Sequence, residues 1–249
     1  GLAVLPQLYV IYTSFKNTQG MVFQPGYSFD SYYTAFDRLG STIFNTILIP
    51  GISLIIIVLL AVLIAYLTVR RRNPATGVLD ILSMIPYIVP GTVAGIALLG
   101  AFNTGIFNSG FLAIGGTMVI MIVALVIRRL PYTIRSSVAI LQQIPMSIEE
   151  AALSLGSTKM KTFFKITVPM MASGIISGAI LSWVTMISEL STAVLLSTYR
   201  TQTLTVATYT EVIRGNFGIA AALSTILTVL TIISLLIFTK ISKGDDISI

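Results

Sequence analysis

The stretch EAALSLG occupies residues 150–156, and the stretch ITVP follows at residues 166–169, after nine intervening residues. Both lie in a polar segment between two strongly apolar ones. Ser147 stands just before two consecutive glutamates. This arrangement suits a helix start, where a serine caps free N–H groups and carboxylates lie near the positive helix end. We therefore predict a short helix with Ser147 as its N-cap and with Gly156 ending or bending it.

The composition is that of a membrane protein. Of the 249 residues, 55% are hydrophobic and only 10% are charged, and the mean hydropathy is +0.94. A soluble globule of this length would need more polar residues to cover its surface. The net charge is +6, but the basic residues cluster in short segments between apolar runs. This pattern is typical of membrane topology and argues against nucleic acid as a partner.

Two residue types with characteristic chemistry, Cys and His, are missing from the sequence. Their absence excludes disulfides within the chain, zinc sites built on these ligands, and imidazole proton chemistry. We therefore expect no metal site and no cofactor in this chain. A membrane-embedded enzyme is also disfavoured, because the apolar segments offer no paired carboxylates for acid–base chemistry.

Apolar stretches define the expected membrane spans. A spanning helix needs about 20 apolar residues to cross roughly 30 Å of hydrocarbon. Five stretches qualify, and residues 2–15 form a partial sixth. The five full stretches are residues 45–69, 77–102, 111–127, 170–196 and 219–239. We therefore predict an all-α integral membrane protein with about six transmembrane helices.

Prolines and glycines mark irregular or closely packed places in these spans. Pro86 and Pro90 interrupt the stretch 77–102, which predicts a kinked or broken helix. Gly174 and Gly178 have the small-residue spacing that lets another membrane helix approach closely. We expect these glycines to pack helices within the chain, with a contact between subunits as the alternative.

Basic residues indicate the orientation, because Lys and Arg near helix ends are retained on the cytoplasmic side. Of the 15 Lys and Arg residues, only four fall on one side, namely Lys16, Arg38, Arg200 and Arg214. The larger set is Arg70, Arg71, Arg72, Arg128, Arg129, Arg135, Lys159, Lys161, Lys165, Lys240 and Lys243. We therefore predict that residues 128–169 form a cytoplasmic segment, which is too long for a simple connector and must hold structure.

The spacing of the two opening stretches resembles the EAA signature of permease subunits in binding-protein-dependent ABC importers. In that signature, Glu-Ala-Ala, three residues and Gly are followed after nine residues by Ile-x-Leu-Pro. Val168 stands where the signature has Leu. The matching positions are Glu150, Ala151, Ala152, Gly156, Ile166 and Pro169. The resemblance implies a type I ABC importer membrane domain over residues 1–249, with the signature helix inside the segment 128–169.

By this resemblance, the short helix docks in a groove of a separate ATPase subunit, and the chain has no ATP site of its own. The implied partners are two ATP-binding cassette subunits, which bind ATP and Mg, a second membrane domain, an extracytoplasmic substrate-binding protein and the lipid bilayer. The implied location is the bacterial inner membrane, as a multi-pass protein. Because the chain opens at Gly1 in mid-apolar sequence, we expect the second half of a longer or fused permease, with its first helix truncated.

Glu189 is the sole ionisable residue deep in a predicted span, where a carboxylate needs a partner or a polar cavity. Residues 188–196 are similar to a Glu-Leu-Pro-Ala-Thr-Leu-Leu-Leu stretch in permeases of the ferric-iron group, with Ser191 in place of Pro. Iron(III) prefers hard oxygen ligands, which Glu189, Ser188, Ser191 and Thr192 offer along a translocation path. We expect either that role or a bond from Glu189 to the backbone at a helix break. The predicted substrate is ferric iron, with phosphonates, polyamines and similar small solutes as alternatives.

An ion-coupled secondary transporter is an alternative class that would need no ATPase. Such proteins usually place coupling carboxylates or broken helices near the midplane and often contain inverted repeats. One glutamate and no evident repeat disfavour this class. The run GSTK at residues 156–159 lacks the order Gly-x-x-x-x-Gly-Lys-Ser/Thr of a phosphate-binding loop. We therefore predict that the chain itself does not hydrolyse ATP.

Overall fold

The computed structural model describes residues 4–104, 110 and 112–245, with side chains described up to residue 240. This part of the chain is mostly helical. An antiparallel hairpin of β1 (Lys16–Gln19) and β2 (Val22–Tyr27) follows the first helix. The helices are α1 (Leu5–Ser14), α2 (Asp30–Arg70), α3 (Pro74–Ile88), α4 (Gly91–Phe102), α5 (Met118–Gln143), α6 (Met146–Ser154), α7 (Lys159–Thr162), α8 (Val168–Met170), α9 (Ala172–Ile187), α10 (Ala193–Leu196), α11 (Leu204–Ile213) and α12 (Phe217–Asp245). A π-helix, Phe163–Thr167, separates α7 from α8.

Helix length and composition agree with a protein that crosses the membrane several times. Among the described residues, α2 and the Phe217–Lys240 part of α12 are long and apolar enough to span a bilayer. The count rises to four if two bent pairs each form one span: α3 with α4, and Lys159–Met170 with α9. The predicted stretches 2–15 and 111–127 both begin at residues outside the described part.

Helix α2 begins at Asp30, well before the predicted stretch 45–69, and it is kinked at Leu39, whose φ of −127° and ψ of 15° are not helical. Its early turns include polar residues that an apolar pattern misses, and one of them, Thr42, is buried with its Oγ1 donating to the Leu39 carbonyl at 2.6 Å. The next two polar residues, Asn45 and Thr46, begin the predicted stretch and are buried in the same way. Asn45 Nδ2 donates to the backbone carbonyls of Arg200 and Gln202, at 2.9 and 3.0 Å. Thr46 Oγ1 accepts the backbone N–H of Leu204 at 2.7 Å. Pairing of this kind lets polar groups lie inside the fold.

The predicted stretch 77–102 is broken, as the prolines indicated. α3 and α4 lie on either side of Val89, which is extended with ψ of 126°, and of Pro90. The residue before a proline is disfavoured in helical conformation, which places the break at Val89. Pro86 lies inside α3. The prediction of a broken helix in this stretch is confirmed.

Helix α5 continues past residue 127, where the sequence predicted a connecting segment to begin. Residues 128–143 of the predicted segment 128–169 therefore continue α5, and new elements start only after them. The cause is the pattern of Ile134, Val138 and Leu141, which recur at helical spacing and are buried in an apolar cluster. An inward apolar stripe sustains a helix although basic residues occupy its other positions.

By their internal packing, the described residues fall into two compact units. The first takes in the described residues of Gly1–Pro50, Gly91–Ala124 and Ile187–Ile237, and the second takes in those of Gly51–Pro90, Leu125–Met186 and Phe238–Ile249. Each unit has its own apolar core. The first core contains Ala35, Leu39, Leu204, Ala207 and Leu223. The second core contains Ala61, Ala65, Ile134, Val138, Leu141, Ile144 and Met171.

Gly174 and Gly178 bring α9 into close contact with α5 in the second unit. A Cβ on Gly178 would lie 2.7 Å from Thr133 Cα, and one on Gly174 would lie 2.9 Å from the Ser136 carbonyl oxygen. Ser136 Oγ donates to the Gly174 carbonyl at 2.6 Å. The expectation that these glycines pack helices within the chain is confirmed.

Candidate functional site

The predicted signature helix is present as α6, but its start differs from the prediction. Pro145 is the N-cap, in an extended conformation with φ of −61° and ψ of 138°, and Ser147 lies inside the first turn. A proline disfavours helical conformation in the residue before it, here Ile144. Helix α5 therefore ends at Gln143, and a new helix begins after Pro145. The prediction of Ser147 as the N-cap is wrong because the proline sets this boundary.

The end of α6 is closed by Gly156, as predicted. Its φ is +86°, in the left-handed region that favours glycine. The Gly156 N–H donates to the Leu153 carbonyl at 3.0 Å, and the Ser157 N–H donates to the Ala152 carbonyl at 3.0 Å. This pair of bonds is a Schellman motif, which satisfies carbonyls at the end of a helix.

One side of α6 is exposed. Glu150, Ala151 and Gly156 are exposed and Ala152 is half-buried. Large apolar side chains are exposed beside them, namely Met146, Leu153, Leu155 and Met160, and Leu155 is 90% exposed. Apolar residues grouped on a surface and rimmed by polar ones are typical of a contact with another protein. We call Glu150, Ala151, Leu155 and Gly156 the α6 surface.

Ile166 and Pro169 lie in the helical run after α6. Ile166 is half-buried in the π-helix, and Pro169 is exposed in the first turn of α8. The chain bends after Pro169, at Met171, by 65° between Lys159–Met170 and α9. A proline in the first turn of a helix removes no intrahelical bond, so Pro169 does not force the bend at its own position.

The sequence analysis missed Glu149, which precedes the signature glutamate. Glu149 is 7% exposed. Its Oε1 accepts from Arg70 Nε at 2.8 Å, and its Oε2 accepts from the Tyr66 hydroxyl at 3.3 Å. Consecutive helix positions differ by about 100° in direction, so two adjacent glutamates face different surroundings. That spacing was the signal that one of the pair would face inward.

The Arg70–Glu149 ion pair is enclosed. Both side chains are 9% exposed, and Arg70 Nη2 also donates to the Ile144 carbonyl at 2.8 Å. The Tyr66 ring packs against Phe163 with centroids 4.8 Å apart. A buried charge needs a complete set of partners, because breaking such a pair leaves an uncompensated charge. The pair therefore fixes the first turn of α6 to the last turn of α2.

Glu189 lies between α9 and α10, where the helix predicted over residues 170–196 is broken, and it is 6% exposed. Its Oε1 accepts the Thr192 N–H at 3.1 Å, and Thr192 Oγ1 donates to the Gly91 carbonyl at 3.0 Å. The first bond is the backbone contact that one of the two predicted roles requires. Ser188 and Ser191 are exposed, whereas Thr192 is buried. A role for these four residues on a translocation path stays a prediction.

A second buried carboxylate, Glu211 in α11, was not predicted. Its Oε1 accepts from Arg214 Nη1 at 2.8 Å, and its Oε2 accepts from Asn216 Nδ2 at 2.6 Å. These bonds hold the chain that leaves α11 against the helix end. Within the described part of the chain, no three His, Cys, Asp or Glu residues are grouped so as to hold a metal ion.

Curated relatives of the chain are transport permeases. The chain is 33% identical over 229 residues to the ferric transport system permease protein FbpB of Actinobacillus pleuropneumoniae, covering 92% of this chain and 31% of that protein. It is 25% identical over 173 residues to the sulfate transport system permease protein CysT of Salmonella typhimurium, covering 66% of this chain and 62% of that protein. The chain thus spans about a third of the first relative's length and less than two thirds of the second's.

The fold also matches a solved structure, that of a bacterial ABC transporter involved in the import of the acidic polysaccharide alginate. The TM-score is 0.77 at 18% identity, covering 98% of this chain and 90% of that chain. This likeness confirms the predicted membrane-domain fold. Residues 57–244 match the model of one family. This range is most of the chain and includes the signature helix α6. The chain therefore belongs to the family of binding-protein-dependent transport system inner membrane components.

Proposed function

We propose that the chain is the permease subunit of an ATP-driven importer, in which α6 docks on a separate ATPase subunit and the apolar helices line the substrate path. The observation that carries this proposal is the two-sided character of α6. Its α6 surface is exposed, while Glu149 is held by Arg70 and Tyr66. A short helix that is fixed on one side and presents small and apolar residues on the other suits insertion into a groove of another protein.

The partner, in this proposal, binds ATP and Mg, since the run GSTK at residues 156–159 lacks the order of a phosphate-binding loop. Closure of two ATPase subunits on ATP would move the docked helices and open the path to the outside. A second membrane domain would complete the path, and an extracytoplasmic binding protein would deliver the substrate. The family description, which names a binding protein and the inner membrane, supports this arrangement.

We propose ferric iron as the substrate. The support is the similarity to the ferric permease, which covers 92% of this chain. Carboxylate and hydroxyl oxygens are ligands that iron(III) prefers. Glu189 and Thr192 supply such oxygens at a helix break. Broken helices in transporters often lie beside the substrate path, where irregular backbone faces a cavity.

Sulfate or a related oxyanion is the second candidate substrate, because the chain is also similar to a sulfate permease over 66% of its length. An oxyanion calls for hydrogen-bond donors and positive charge, whereas iron(III) calls for oxygen acceptors. The two substrates therefore make opposite demands on Glu189, whose carboxylate would repel an oxyanion.

Uptake of radioactive iron(III) tests the proposal in cells that carry the full-length permease, its ATPase and its binding protein. We expect Gly156→Asp to abolish uptake, because it places a negative charge on the α6 surface, where the ATPase docks. Gly110→Asp is the matched control, since Gly110 also has positive φ, +73°, and open space around it. Equal uptake by Gly156→Asp and the unmutated permease would contradict α6 docking. Uptake of sulfate and not of iron would make sulfate the substrate, and the fold and the proposed docking of α6 would still stand.

A further inference from the structure

Arg70 joins three helix ends. It is the last residue of α2, and its guanidinium donates to Ile144, which follows the end of α5, and to Glu149 in the first turn of α6. Both bonds measure 2.8 Å. Since Nε and Nη2 are used for different partners, the guanidinium plane is fixed relative to all three helices. The start of α6 cannot move away from the end of α2 unless these bonds break.

The burial of this pair distinguishes it from the other ion pair described in the second unit. Arg135 and Asp80 lie 3.4 Å apart with side chains 51% and 33% exposed. Such solvent-exposed pairs contribute little, because water and salt screen them and the side chains remain mobile. At Arg70 and Glu149, the side chains are 9% exposed, their ion pair measures 2.8 Å and the bond from the Tyr66 hydroxyl measures 3.3 Å. A geometry held this way can transmit displacement, whereas the exposed pair cannot.

We propose that Arg70 and Glu149 are positioning residues that carry the movement of the ATPase-docked helix α6 into membrane helix α2. This inference rests on the proposed docking of α6. The α6 surface receives the displacement, Glu149 on the same helix passes it to Arg70, and α2 carries it into the membrane. The Tyr66 hydroxyl holds the second oxygen of Glu149, so that the carboxylate cannot pivot about its bond to Arg70.

From this geometry we expect that other residue types at positions 70 and 149 weaken the connection. A lysine at position 70 has a single ammonium group and cannot reach two partners in a fixed plane. A glutamine at position 149 keeps the size of the side chain and one acceptor oxygen, but it loses the charge that shortens and strengthens the bond to arginine. Both substitutions weaken the bond between positions 70 and 149 without leaving a cavity.

The test is the ratio of iron(III) transported to ATP hydrolysed, measured with the full-length permease, its ATPase and its binding protein in liposomes. We expect Glu149→Gln and Arg70→Lys to lower this ratio at least about fivefold, the lower end of typical coupling between distant sites, with the ATPase still bound. Tyr66→Phe should lower it less. Arg71→Lys is the matched control, because Arg71 is the exposed neighbour of Arg70 and its variant should keep the ratio.

A distance measurement gives a readout that lost stability alone would not produce. The 249-residue sequence has no Cys, so Ser147→Cys on α6 and Leu63→Cys on α2 add one pair of sites for spin labels to it, and any cysteine elsewhere in the full-length permease is replaced by serine. Ser147 and Leu63 are both exposed. With the pair of residues intact, ATP should leave the distance between the labels unchanged, because the two helices move together. In Glu149→Gln, ATP should change or broaden that distance.

The outcomes separate this inference from the proposed function. If the unmutated permease binds no ATPase, both are overturned. If the ATPase binds and the ratio of transport to hydrolysis is unchanged in Arg70→Lys and Tyr66→Phe, the inference alone is overturned, whether or not Glu149→Gln can be purified. A proportional fall of both rates is such a case, and it would mean that the pair has only a structural role.

Discussion

Glu149 and Glu150 are consecutive in the sequence and lie in opposite surroundings. Glu149 is 7% exposed and bonded to Arg70 at 2.8 Å, whereas Glu150 is exposed on α6. One glutamate therefore attaches the helix to its own subunit, and the other is available to a second protein. The same substitution at the two positions should have separable effects on stability and on partner binding.

Glu149→Ala should lower the free energy of unfolding by about 3–5 kcal/mol, because it leaves the buried Arg70 without its counter-charge. Glu150→Ala should change it by less than about 0.5 kcal/mol, as is usual for exposed positions, while it weakens ATPase binding. Thermal unfolding of the detergent-purified permease, read as Tm, measures the first effect, and co-purification of the ATPase measures the second. Equal shifts in Tm would contradict the buried ion pair.

The effect of a substitution at Gly156 should depend on how readily the new residue adopts left-handed backbone conformation, and not on the size of its side chain. Nothing lies within 4 Å of a Cβ built on it, but its φ is +86°. Left-handed conformation costs most residues roughly 1–2 kcal/mol, and asparagine adopts it more readily than β-branched residues do. Gly156→Asn should therefore retain more ATPase co-purification than Gly156→Val. The reverse order would mean that polarity at this position matters more than the turn.

The features that sequence predicted are those set by neighbouring residues. The break at Pro90, the helix end at Gly156 and the close approach of α9 at Gly178 each follow from the geometry of one residue type. The Arg70–Glu149 pair was not predictable, because 79 positions separate the partners and many charged residues compete for each of them. The burial of Thr46 was not predictable for the same reason, since its hydroxyl is bonded to Leu204, 158 positions away.

Gly178→Ala should destabilise the permease, and Gly51→Ala should not. A Cβ at position 178 would lie 2.7 Å from Thr133 Cα, a backbone atom that cannot move aside without shifting α5. Overpacking of this kind costs typically about 1–3 kcal/mol. At Gly51, inside α2, nothing lies within 4 Å of the added atom. In the middle of a helix, alanine is favoured over glycine by roughly 0.5–1 kcal/mol.

The two variants share one chemical change, so a comparison of their Tm values isolates the helix contact. We expect a lower Tm for Gly178→Ala and an equal or higher Tm for Gly51→Ala. An unchanged Tm at both positions would mean that α9 and α5 are not held at this separation in the membrane.

Glu189→Gln separates the two roles predicted for that residue. Glutamine keeps an oxygen that accepts the Thr192 N–H, so the helix break between α9 and α10 should be retained with little change in Tm. Glu189→Leu removes the acceptor, and loss of a buried hydrogen bond of this kind costs about 1–3 kcal/mol, so its Tm should fall. If the carboxylate charge contacts iron(III) on its path, Glu189→Gln should lower iron uptake while the complex with the ATPase stays assembled. Uptake that is normal in Glu189→Gln and reduced only in Glu189→Leu, in step with Tm, would assign Glu189 to the helix break alone.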